Sequence, residues 1–141
     1  MKDCGYAIRK AYFDKLTAAS YSVGVYDTIA PDEIDPPFLI ISSQTSVEDS
    51  DKQSYNFDVT IQFDIVYETF KNGEVGQKTI DNLANELLGI IGVNVNDYPN
   101  AGPDFKIVTR RISDNIATFD YVEQAYVFRR VITFRHFVTQ L

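Results

Sequence analysis

From Tyr55 to Tyr67 the chain alternates between two kinds of position. Tyr55, Phe57, Val59, Ile61, Phe63, Ile65 and Tyr67 fall on one side, and Asn56, Asp58, Thr60, Gln62 and Asp64 on the other. Successive strand side chains point to opposite faces, so this period predicts a long, one-sided β-strand. A run of roughly 13 residues is about twice the usual strand length. Such a strand must run past the edge of a small core or lean on a neighbouring subunit.

Other segments carry different periods. Ile8, Ala11, Tyr12, Leu16 and Ala19, with Arg9, Lys10, Asp14 and Lys15 between them, predict an amphipathic helix over 5–20 with Asp3 as its cap. Residues 21–29 are short and β-rich. The acidic, proline-broken loop that follows (Pro31, Asp32, Glu33, Asp35, Pro36, Pro37) can be neither helix nor central strand. Residues 38–41 read as a buried strand, and the polar stretch 42–54 as a long, mobile hairpin tip. Asn72 and Gly73 mark a tight turn. Ile80, Leu83, Ala84, Leu87, Leu88 and Ile91 then predict a second helix over 75–92, ended by Gly89 and Gly92.

After a loop rich in Asn, Pro and Gly, two strands close the chain, over 105–113 and 124–138. In the second, Tyr126, Phe128, Ile132, Phe134 and Val138 share one face, opposite Val127, Arg129, Val131, Thr133 and Arg135. Strands adjacent in sequence usually pair as antiparallel hairpins. The expectation is therefore one α+β domain over 1–141, an antiparallel or mixed sheet of about five strands with two helices packed on one face.

Composition adds contact chemistry. Aromatics make up 13% of the 141 residues without a single Trp, a bias that favours sheets and interfaces. The net charge of −7 is unevenly spread, because five of the six arginines (Arg110, Arg111, Arg129, Arg130 and Arg135) lie in the last quarter. An Arg-rich patch on one copy could meet Asp32, Glu33 and Asp35 on the next, head to tail. The plainer reading, that these arginines solvate the outer face of the sheet, stays open beside it.

Catalytic chemistry is sparse. His136 shares a face with Phe134 and Val138 and reads as a half-buried structural histidine. Cys4, the one cysteine, reads as a small residue near a frayed terminus, with no base nearby to make it reactive. Glu48, Asp49 and Asp51 lack the glycine and closing glutamate of a calcium loop. No glycine-rich phosphate loop follows a strand, and a pI near 4.6 disfavours general DNA affinity. No segment reads as a signal peptide or membrane span. The expectation is a protein that is not an enzyme and holds no metal or cofactor.

The first half resembles the tail terminator, or tail completion, proteins of tailed bacteriophages. The likeness rests on an N-terminal helix, then Val23, Gly24, Val25, Tyr26 and Asp27, an acidic Pro-containing loop, and the run Pro37, Phe38, Leu39, Ile40 and Ile41. A polar loop, a long alternating strand and a Leu/Ile-rich helix follow in the same order. Ser42 and Ser43 depart from the family, which often places a Gly there. The resemblance implies a virion protein of the tail or neck, assembled in the host cytoplasm. It would form a ring, a hexamer in preference to a dodecamer, between the tail tube and the portal or neck proteins. DNA would pass through the lumen without specific binding, and no membrane is involved. Glu48, Asp49 and Asp51 would then form a lumen-facing or partner-facing loop. Another head–tail connector, such as a stopper or head-completion protein, fits the same features. A small-molecule-binding α+β domain using the Tyr-rich sheet face is the reading from a different class.

Overall fold

A computed structural model describes residues 1–70, 76–92 and 94–141. The elements in chain order are α1 (Gly5–Ala18), β1 (Gly24–Asp27), β2 (Phe38–Glu48), β3 (Asn56–Thr69), α2 (Gly76–Ile91), β4 (Phe105–Val122) and β5 (Ala125–Gln140). The strands form one mixed sheet in the order β1-β2-β3-β5-β4, with both helices on one face, and the fold is α+β.

The alternation in β3 is the organising feature. Phe57, Val59, Ile61, Phe63 and Ile65 all point to the helix side and are buried, as are Ile132, Phe134 and Val138 beside them on β5. From α1, Ile8, Tyr12 and Leu16 close over this surface, and from α2, Ile80, Leu83, Leu87 and Ile91. Burying each such aliphatic side chain stabilises the fold by about 1.5–3 kcal/mol. β3 and β5 pair without a register break from Asn56↔Thr139 to Thr69↔Tyr126.

Helix ends follow local chemistry. The Asp3 carboxylate accepts the Gly5 N–H at 2.9 Å, although Cys4 occupies the cap position itself and its side chain makes no capping bond. At the far end, Ser20 turns left-handed with φ of 54°. Gly89 lies inside α2 and does not end it; Gly92 follows the last turn and donates to the Leu88 carbonyl at 2.9 Å.

Several expectations are corrected. Residues 42–48 belong to β2, leaving 49–55 as the hairpin connection, because backbone pairing to β3 from Ser43↔Gln62 to Glu48↔Phe57 needs no apolar side chains. β1 and β2 are neighbours in sequence but run parallel, since the loop 28–37 is long enough to carry the chain back along a four-residue strand. β4 reaches Val122, well past Ser113. Its two register shifts, between Ile107 and Thr109 and between Ile112 and Asp114, flip the odd/even parity twice and erase the period-2 signal.

Cys4 is buried in the core, not frayed, and burial pushes its thiol pKa up. His136 is 1% exposed, fully buried where half-burial was expected. The predicted turn at Asn72 and Gly73 and the helix start at Val75 lie outside the described residues.

Candidate functional site

The five arginines do not form one patch. Arg110 and Arg130 point to the helix side, while Arg111, Arg129 and Arg135 point to the outer, helix-free face, as their pairing positions on β4 and β5 require. Arg110 donates from Nη1 to the carbonyls of Ile91 (2.8 Å) and Asp97 (3.0 Å), closing the C-terminus of α2, and its guanidinium lies 5.3 Å from the Tyr98 ring centroid. Arg130 binds Asp81 of α2 at 2.6 Å and Asn115 of β4 at 2.6 Å.

On the outer face, Arg129 is bonded to the buried Asp64, and Arg135 to Asp58. Arg135 holds the Asp58 carboxyl below its usual pKa. Only Arg111 of the five makes no hydrogen bond or ion pair with a described residue. Asp58, Thr109, Arg111 and Arg135 line part of a shallow outer-face depression of about 300 Å³.

The acidic candidates separate into two places. Asp32, Glu33 and Asp35 are exposed in the loop after β1, at the opposite edge of the sheet from β4, and have no partner among the described residues. Glu48 ends β2 opposite Phe57, and the Asp49 N–H donates to the Asn56 carbonyl at 2.8 Å. Asp51 is engaged locally, accepting the N–H groups of Gln53 (2.7 Å) and Ser54 (2.8 Å), and these bonds lower its pKa. No three His, Cys, Asp or Glu side chains among the described residues are grouped to hold a metal.

The comparisons add one relationship. No family model and no curated protein matches the chain. Its fold is that of a virion chain. The solved structure in question is titled "Virion of native gene transfer agent (GTA) particle"; the match has a TM-score of 0.70 and covers 99% of each chain. At 15% identity the likeness to the gene transfer agent chain is one of fold.

The feature that sequence reasoning missed is the distal half of β4, residues 114–122. β4 is an edge strand, and neither helix covers it beyond its base. Ile112, Ile116, Phe119, Tyr121 and Val122 are all 46–57% exposed. At the tip, Phe119 contacts Tyr126 and Phe128 with ring centroids 5.9 and 5.1 Å apart, and Tyr121 lies 4.9 Å from Tyr126. The large apolar side chains on the helix side of β4 (Phe105, Ile107, Ile112, Phe119, Tyr121) become visible in the sequence only once both bulges are allowed for.

Proposed function

We propose that the protein is a structural virion component that forms a ring at the tail–neck junction of a tailed phage or phage-like particle, capping the tail and joining it to the head. The observation that carries this reading is the fold shared over 99% of both chains with a chain of a gene transfer agent virion. The resemblance of residues 5–92 to tail terminator proteins supports the finer assignment.

A closed ring needs two different, complementary patches on each subunit. Arg111, unpaired at the β4 edge, is suited to one, and Asp32, Glu33 and Asp35 at the β1 edge to the other. Arg110, Arg129, Arg130 and Arg135 act within the subunit. The role is one of assembly, without catalysis or cofactor, and DNA passes the ring without being specifically bound.

Native mass spectrometry of the full chain, alone and mixed with the tail-tube protein of the same particle, tests this reading. In the mixture, a six-copy species that caps tube ends in electron micrographs is expected. A monomer or dimer that ignores tubes, and whose melting temperature rises with a small metabolite, would overturn it.

A further inference from the structure

We propose that the free edges of β4 from two copies pair antiparallel about a two-fold axis at Ile116, giving a dimer of the unassembled protein. The inference stands on β4 alone and does not rest on the virion reading. A free edge strand of 18 residues presents unpaired backbone groups that readily pair with another chain. The sheet's other edge, β1, offers only four residues, and its Asp27 is already held by Arg9 at 3.5 Å.

What selects the register is the arrangement of side chains along β4. β5 is unbroken against β3 and so serves as a ruler that absorbs the β4 bulges. Arg111 pairs with Arg135, Ile116 with Val131 and Asp120 with Val127, so Arg111 and Asp120 stand four β5 positions on either side of Ile116. All three project from the outer face. A two-fold axis at Ile116 therefore sets Arg111 of each copy beside Asp120 of the other. Neither charge makes a hydrogen bond or ion pair with a side chain among the described residues of its own chain, although Arg111 stands near enough to Asp58 to help lower its pKa; Asp120 accepts only the N–H of Tyr121.

The same axis works on the helix side. Phe119 pairs with Phe128 and Ile112 with Phe134, three positions on either side of the axis, so Phe119 of one copy meets Ile112 of the other. These side chains are 57% and 46% exposed in the single chain. One operator thus matches two ion pairs, two apolar pairs and a central Ile116–Ile116 contact, the kind of cross-strand pairing that stabilises sheets. The proposed ring also uses Arg111, so the dimer and the ring are mutually exclusive at this edge.

Ile116→Cys tests the axis directly. Residues opposite each other in an antiparallel pair have Cα atoms about 4.5–5.5 Å apart, within disulfide range. Mild oxidation should convert most of the full-length Ile116→Cys variant into a covalent dimer, whereas Val122→Cys, at the same 47% exposure, should remain uncoupled. In sedimentation equilibrium, Arg111→Glu and Asp120→Arg should each weaken the dimer about tenfold, and the double variant should restore it, because each like-charge contact becomes an opposite-charge one. Melting curves confirm that each variant is folded. A wild-type monomer at 100 µM (roughly the concentration at which weak dimers form), equal coupling of the two cysteine variants, or a double variant no better than the singles would each overturn the dimer. None of these results would touch the ring assignment, which the tube-capping assay decides.

Discussion

Tyr12 and His136, 124 residues apart in the chain, share a hydrogen bond in the middle of the core. The other imidazole nitrogen, Nδ1, lies 3.0 Å from the Val59 carbonyl and must donate to it. Nε2 therefore carries the lone pair and accepts from the Tyr12 hydroxyl, so the pair ties α1 to β5 only while the imidazole is neutral.

This arrangement makes stability depend on pH. Burial pulls the His136 pKa from 6.5 down to about 4; the Val59 carbonyl opposes that fall and the Arg110 charge reinforces it. The unfolded chain takes up the proton first as the pH drops. The contribution is thus complete above about pH 6.5, declines between 6.5 and 4, and is flat below. The difference corresponds to roughly 3 kcal/mol. Urea titrations between pH 7.5 and 4.5 should show this loss, and a Tyr12→Phe/His136→Leu double variant should lose much less.

Arg129 and Arg111 should respond differently to truncation. Asp64 is 5% exposed, and Arg129→Ala leaves its carboxylate buried without its cation, at a cost of about 1–3 kcal/mol. Arg111→Ala should fall within about 0.5 kcal/mol of wild type. Denaturant midpoints of the two variants, measured on dilute protein, check the contrast. Equal effects would mean that the Arg129–Asp64 pair adds nothing to the fold.

The β4–β5 turn leaves room for improvement. Glu123 and Gln124 have φ of 51° and 67°, the left-handed region that two-residue hairpin turns reserve for Asn and Gly. Glu123→Asn combined with Gln124→Gly should stabilise the protein by roughly 1 kcal/mol. The readout is thermal unfolding, and a lower melting temperature would contradict the turn geometry.

Gly76 opens α2 against the ring of Phe128, which is itself wedged between Tyr67 and Phe119. A methyl group at this position would overlap that ring. Gly76→Ala should therefore cost about 1–3 kcal/mol, despite the better helix propensity of alanine. Chemical denaturation tests this, and Gly89→Ala, where a Cβ meets nothing within 4 Å, serves as the contrasting stabilising change.

Where period and burial coincide, the fold was legible in the sequence. The alternation at Tyr55–Tyr67 and the 3–4 spacing of Ile80, Leu83, Leu87 and Ile91 each marked one buried face, and the elements formed there. Polar residues 42–48 read as loop because their helix-side positions, Gln44 and Ser46, meet Arg9 and Cys4 through polar contacts, so the strand displays no apolar face there. β4 was cut short at Ser113 because its bulges exchange the faces of odd and even residues. The arginines were found in sequence but not their roles, since Asp58, Asp64 and Asp81 reach them only through cross-strand or helix–sheet register. Charge alone did not distinguish Arg129, bonded to Asp64, from Arg111, which makes no hydrogen bond or ion pair with a described residue.

The chain contains no Trp, while Tyr121 and Tyr126 sit together at the end of the β4–β5 hairpin. Ultraviolet emission from the isolated protein therefore arises from phenol rings, two of them at the end of this hairpin. A tryptophan-bearing partner docking there would take up that excitation and re-emit it at longer wavelength, so the hairpin carries its own optical probe of encounter, with no label attached.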